Sequence, residues 1–199
     1  MADVMGASSG LRLARLAWLC AGVLACLAGW ATAQARAADE ADDALEQRVK
    51  AAFLYKFAGY VDWPAASFAS ADTPITIAVV GAESLAAELS QVVAGRTINN
   101  RNLAVKRLKP GESLTGVHIL FVGSAEQSRM GQLARSAQQN AVLAVSESEG
   151  ALSHGSMINF VVSERRVRFE VGLDSAEKGG LRLSSRLLAV AQQVRTGNP

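Results

Sequence analysis

The sequence predicts an α/β domain: a doubly wound, mostly parallel sheet with a late antiparallel hairpin and helices on both faces. Three observations lead there. Short apolar runs rich in β-branched residues occur at 75–81, 117–123 and 141–146, and such runs read as strands buried on both faces. Amphipathic segments at helical spacing lie between strands, and strand–helix alternation is the pattern of a parallel sheet. The stretch MINFVVSERRVRFEVGL, 157–173, then switches to strict alternation, the period of a half-buried hairpin.

The N-terminus is read separately. Arg12 and Arg15 precede the apolar run LAWLCAGVLACLAGW, 16–30, and AQA and ARA offer small-x-small cleavage sites up to Ala37. This is the layout of a secretory signal peptide over 1–37, leaving a single domain over 38–199. Two alternatives are a retained anchor, for which the run is short, and a lipoprotein built on Cys26, for which the preceding Leu fits poorly. The only cysteines are Cys20 and Cys26, so the mature chain would carry no disulfide in an oxidising compartment. The 20 basic and 18 acidic residues include Arg12, Arg15, Arg36 and Asp3 in the leader, and 17 of each remain. A neutral mature chain lacks the concentrated basic surface that nucleic acid binding needs. The expected product is a soluble, exported, single domain with no membrane span of its own.

The elements follow in order. ADEADDA, 38–44, places negative charge at the start of a helix, where the dipole favours it. Leu45, Val49, Ala52, Phe53, Phe57 and Tyr60 recur at three- and four-residue steps, so the helix runs on until Pro64 disfavours helical geometry at Trp63. The strand ITIAVVG, 75–81, leads into a helix over 83–94 with Leu85, Leu89, Val92 and Val93 on one stripe, stopped by Gly95. LAVKRL, 103–108, is a more polar strand nearer an edge. VHILFVG, 117–123, is the third strand, and Ser124 to Gln127 reads as a capping box opening the next helix. AVLAVS, 141–146, is the fourth strand. In the hairpin, Ile158, Phe160 and Val162 share one face, as do Val167, Phe169 and Val171, with the turn at Ser163 to Arg166. Asp174 to Lys178 makes a helical turn, Leu181 to Leu183 an extended piece, and Ser185 to Val194 a closing helix.

Chemistry is sparse. Gly81 ends a strand where a nucleotide-binding fold would place a glycine-rich turn, but the sequence is GAESLA and carries no phosphate-binding motif. No nucleophile elbow is present. His118 reads as a strand-end residue with a satisfied ring, and His154 lies in a loop without metal-ligand spacing to another ligand. Ser156, His154 and Asp174 make a trio any chain offers by chance. Glu147 and Glu149 read as a solvated loop face. The reading is therefore of a non-enzyme with no catalytic residue, no metal and no cofactor. Residues 48–64, RVKAAFLYKFAGYVDWP, hold five of the eleven aromatic residues. Candidate partner-binding residues are the off-stripe or helix-exit rings Tyr55, Tyr60, Trp63 and Phe68, followed by Arg165 and Arg166 in the basic turn. Trp63 reads equally as a core plug beside Pro64. Arg165, Arg166 and Arg168 read also as a charged edge that blocks aggregation.

KAAFLYKFAGYVDWP, 50–64, resembles the signature of the YfiR family, approximately KAAFLYNFAKFVEWP. ITIAVVG, GRTINNRNLAVKRL, HILFVG, GSMINFVVSERRVRFEV and LRLSSRLLAVA fit the same family in order, over 48–191. The resemblance implies a periplasmic regulator that binds the sensory domain of a YfiN-type membrane diguanylate cyclase and holds it inactive, restraining cyclic di-GMP and biofilm. It also implies a homodimer. The type protein's mature cysteines are missing here, so redox control does not carry over. The alternative is a periplasmic small-molecule binding protein, whose crevice would lie near Gly81-Ala82, Gly123-Ser124 and Ser146-Glu147.

Overall fold

The computed structural model describes residues 40–197. The expected signal segment lies outside the described residues. The chain divides after Leu45, and the fold below is that of the unit from Glu46 onward. Residues 40–57 are helical (α1). After it come β1 (Val61–Asp62), β2 (Ile75–Val80), α2 (Glu83–Val93), β3 (Thr97–Ile98), β4 (Arg101–Arg107), β5 (Ile119–Val122), α3 (Met130–Gln139), β6 (Leu143–Ser146), β7 (Ile158–Ser163), β8 (Arg166–Gly172), α4 (Leu173–Lys178), β9 (Arg182–Leu183), α5 (Ser185–Ala189) and β10 (Gln193–Arg195).

The main sheet has the order β10-β8-β7-β6-β5-β2-β4-β3. Strands β4, β2, β5, β6 and β7 are parallel, whereas β8 pairs antiparallel with β7 and β3 pairs antiparallel with β4. From β2 the chain steps one way to β4, whereas from β5 it steps the other way to β6. Right-handed crossovers therefore put α2 and α3 on opposite faces, which is the doubly wound α/β fold with its late hairpin. The central strands are continuous apolar runs because both faces are covered: β5 and β6 are buried at every position.

Helix α1 packs by a stripe rotated from the expected one. Ala51, Leu54, Phe57 and Ala58 are buried, with Lys50 among them, whereas Leu45 is 57% exposed. Phe57 lies against Phe160 and Phe169 with ring centroids 5.8 and 5.1 Å away, and Phe53 completes the cluster. Phe57 belongs to both stripes and anchors the helix on the hairpin.

Four further differences have local causes. Ser124 does not cap a helix: residues 124–129 form a 3-10 turn without a side-chain cap, and α3 starts at Met130. The expected closing helix stops at Ala189, and residues 193–195 become β10, parallel to β8. The Gln192 N–H donates to the Phe169 carbonyl at the start of this pairing, so satisfying the outer edge of β8 outweighs helical periodicity. Val162 lies on the expected core face but is 57% exposed, because the hairpin runs past the core. A second hairpin, β3–β4, turns at Asn99-Asn100, both at positive φ; Asn tolerates that region, and the type I′ turn requires it. The β7–β8 hairpin makes the same two-residue turn with Glu164 and Arg165, at φ 52° and 59°.

Candidate functional site

The carboxyl ends of the parallel strands are where an open α/β sheet offers a crevice. At the switch between β2 and β5 that crevice is closed. A Cβ on Gly123 would lie 2.3 Å from the Gly81 carbonyl oxygen, so the two strand-ending loops touch backbone to backbone. Glycine is required at 123 by this close approach. Space opens one strand further along, as a cleft of ≈ 430 Å³ reaching from Glu46, Gln47 and Lys50 on α1 to the outer half of β7.

The cleft is organised by Lys50. Its Nζ donates to Glu147 Oε2 at 2.6 Å and Glu46 Oε1 at 2.5 Å, and its side chain is 5% exposed. Burial pulls the Lys50 pKa down, but the Glu147 and Glu46 carboxylates outweigh it and the net shift is upward. Lys50 thus stays charged, and its contribution is full below the ordinary lysine range and lost only as pH rises through the raised value. Glu147 Oε1 also accepts the Ser124 N–H at 3.0 Å. The loop carboxylate expected to be solvated instead ties the end of β6 to α1 and to the loop after β5. Beneath it, the buried Ser146 hydroxyl donates to Asn159 Oδ1 and contacts Ser156 Oγ, each at 2.8 Å, and Ser156 donates to the Ile158 carbonyl at 2.7 Å. The Ser148 hydroxyl is buried without a partner among the described residues, and its residue lines the cleft. The His154–Ser156–Asp174 trio is not assembled: Ser156 is bonded within this network, and the His154 ring meets the Gly150 carbonyl at 3.1 Å. Among the described residues no three His, Cys, Asp or Glu side chains group as metal ligands.

The opposite, amino end of the sheet is closed by the exit from α1. The Trp63 Nε1–H donates to the His118 carbonyl at 3.1 Å, and the Trp63 ring meets Phe68 and His118 edge-on. Phe68 stacks on His118 at 4.5 Å, with the Arg101 guanidinium over the Phe68 ring 3.9 Å from its centroid. The Thr76 N–H donates to His118 Nδ1 at 3.2 Å, which leaves Nε2–H to donate to the Ser67 carbonyl at 3.2 Å. The ring is therefore neutral. Burial lowers its pKa, the Ser67 carbonyl opposes this in part, and nearby Arg101 adds to the lowering. Because the folded value is depressed, this contribution is complete above pH ~6.5 and is lost as pH falls below the unfolded value. We expect urea unfolding to report a loss of stability as pH falls from about 7.5 to about 5.5. Ring ¹⁵N shifts in the folded protein should hold the Nε2–H tautomer over that range; protonation of His118 near its ordinary pKa would contradict this.

The predicted contact residues do not form one patch. Trp63 and Phe68 meet, at 6.4 Å, but inside the His118 cluster. Tyr55 is half-buried, with the Arg96 guanidinium 4.9 Å from its ring centroid. The Tyr60 carbonyl accepts the Ser184 N–H beside the small β1–β9 sheet, and its side chain packs partly on the core. Arg165 and Arg166 are exposed at the hairpin tip. Sequence reasoning missed Lys50 and Asn159, read Glu147 as a solvated loop residue and Ser156 as part of a chance trio, and placed Ser146 and Glu147 only at the edge of a possible crevice. The available signal was a lysine four residues after Glu46, at the start of the apolar run of the helix.

A family model described as YfiR/HmsC-like matches residues 47–192. The chain belongs to the YfiR/HmsC-like family. The match begins in α1 beside Glu46 and ends just before β10, so it covers both the brace at Lys50 and the plug at Trp63. Members of the family are periplasmic regulators without catalytic activity. Among solved structures, a conserved domain protein from Vibrio cholerae O1 biovar El Tor is similar over 60% of this chain and 54% of its own, at 11% identity and a TM-score of 0.49. The ABC domain from Streptococcus pneumonia, solved in complex with L-Trp, is similar over 61% and 55%, at 12% identity and a TM-score of 0.46. The chain thus spans about half the length of each of these solved chains.

Proposed function

We propose that this YfiR/HmsC-like chain is a non-catalytic periplasmic protein that binds the sensory domain of a membrane-bound diguanylate cyclase and holds it inactive, acting as a homodimer. The observation that carries this reading is the family match over residues 47–192. A protein of this kind works through differential affinity for two states of its partner, which is all a binding protein needs to shift an equilibrium. The internal use of the polar groups described above agrees with it: Lys50, Glu147, Ser146, Ser156 and His118 hold the fold together and are not poised over a substrate. Tyr55, Tyr60, Trp63, Phe68, Arg165 and Arg166 remain the proposed contact residues.

The test is titration of the purified exported protein against purified periplasmic domains of the cyclases of its own organism. Saturable binding to one of them, weakened when Arg165 and Arg166 are reversed in charge, is expected. No binding to any such domain would overturn the reading. A second reading, as a small-molecule binding protein, is favoured by the cleft beside Lys50 and the unpartnered Ser148 hydroxyl. A thermal-shift screen that raises the midpoint of the wild type but not of a Ser148→Ala variant would select it.

A further inference from the structure

The sheet contains an open edge in its interior. Strand β6 ends at Ser146, whose partner on β7 is Asn159. Strand β7 continues to Ser163, and its other side stays paired with β8 as far as Ser163↔Arg166. Among the described residues, 160–163 therefore have a ladder neighbour on one side only. The phase of the free side follows from the Ile158 carbonyl, which accepts from Ser156 Oγ and so points away from β8. Alternation then turns the Phe160 carbonyl and both backbone groups of Val162 toward the same side. Val162, 57% exposed, sits at the centre of this edge. Unpaired backbone beside an exposed β-branched residue is a template for another strand.

The charges around the edge indicate what fits. The cleft beneath it presents Glu46, Glu147 and Glu149, and its one ammonium, Lys50, is buried between the first two. The hairpin tip beyond it presents Arg165, Arg166 and Arg168, all exposed. The two patches are complementary to each other but sit on one chain, at opposite ends of the free edge. A two-fold axis through Val162 would bring them together, because it sets Phe160 opposite position 164 of the other copy, where the chain reverses with Arg165 at the tip and Arg166 beside Ser163. The arginines of one copy then reach the level at which β6 of the other copy ends, beside Glu147 and Glu149. Such self-complementarity about an axis is what an isologous interface requires. The turn itself agrees with this. Glu164 and Arg165 are both held at positive φ, where Asn and Gly are favoured. Charged residues thus persist there at a cost in backbone strain, and such strain clusters at functional elements.

We propose that two copies of this chain pair antiparallel through the free edge of β7 about Val162, with the basic turn of each copy in the acidic cleft of the other. The proposal rests on the homodimer reading above, adds the surface, and assigns Arg165 and Arg166 to the dimer, so that they act on cyclase binding through it while Tyr55, Tyr60, Trp63 and Phe68 remain for direct contact. Sedimentation velocity of the purified exported protein over a wide range of concentration tests it. Val162→Pro removes the outward N–H while leaving the β7–β8 ladder intact. It should weaken dimerisation at least about tenfold with unchanged circular dichroism and urea midpoint. Glu149→Arg and Arg166→Glu should each weaken the dimer, and the double variant should recover most of the loss, as a direct pair requires. A dimer indifferent to all of these substitutions would overturn the surface while leaving the homodimer standing. A protein that stays monomeric throughout would overturn both, and would leave the arginines as guards of an open edge.

Discussion

Replacing Lys50 with alanine is expected to cost the domain about 3 kcal/mol, the low end of the range for breaking a buried ion pair. The ammonium lies between Glu147 and Glu46 at 2.6 and 2.5 Å, and its removal leaves two carboxylates facing each other across the space it filled. Glu147 keeps the Ser124 N–H and Glu46 keeps partial access to water, so the loss stays below that of a fully enclosed charge. Glu147→Gln should cost less than Lys50→Ala, because an amide oxygen can still accept from Ser124. The pairing of Lys50→Met with Glu147→Gln should cost less than the sum of the single changes. Urea unfolding of the wild type, Lys50→Met, Glu147→Gln and their double variant at pH 7 measures the coupling. Additive losses would mean that the contact contributes nothing of its own.

Phe57→Ala is expected to cost about 4 kcal/mol, the transfer free energy of the ring plus the cavity it leaves. Phe57 is fully buried and touches one aromatic neighbour on its own helix and two on the hairpin, at 6.0, 5.8 and 5.1 Å. A typical domain has only about 5–15 kcal/mol in total, so this variant should unfold well below the wild-type midpoint. Phe57→Leu, which keeps most of the volume, should cost roughly 1 kcal/mol. Equal losses for the two would show that the ring does not fill the space between α1 and the hairpin.

These two positions explain the aromatic stretch at 48–64. Lys50 fastens α1 at the carboxyl ends of the strands, Phe53 and Phe57 fill the middle, and Trp63 closes the amino end through the His118 carbonyl. The stretch braces the sheet along its length. Much of the fold was legible because β2, β5 and β6 are covered on both faces, and continuous apolar runs are the direct trace of that. The parts that misled obey longer-range rules. The sequence around Gln193–Arg195 has helical spacing, and only the unpaired edge of β8 makes it a strand. Thr97–Ile98 is too short to read as a strand, although Asn99-Asn100 is a legible type I′ turn once a hairpin is considered. Lys50 and Glu147 look like surface charges because their pairing spans ninety-seven positions. Trp63 was open to two readings, and its internal hydrogen bond favours the plug while leaving its outer side half-exposed. The free edge of β7 was not legible at all. It exists only because β6 is shorter than its neighbour, and which strand neighbours β7 is a matter of topology.

The most direct measurement is the cellular level of cyclic di-GMP in the source organism with and without the gene. Deletion is expected to raise it, and the exported protein supplied in trans should restore it, with Arg165 and Arg166 charge reversals failing to do so while still accumulating folded protein. An unchanged level on deletion would contradict the regulatory account.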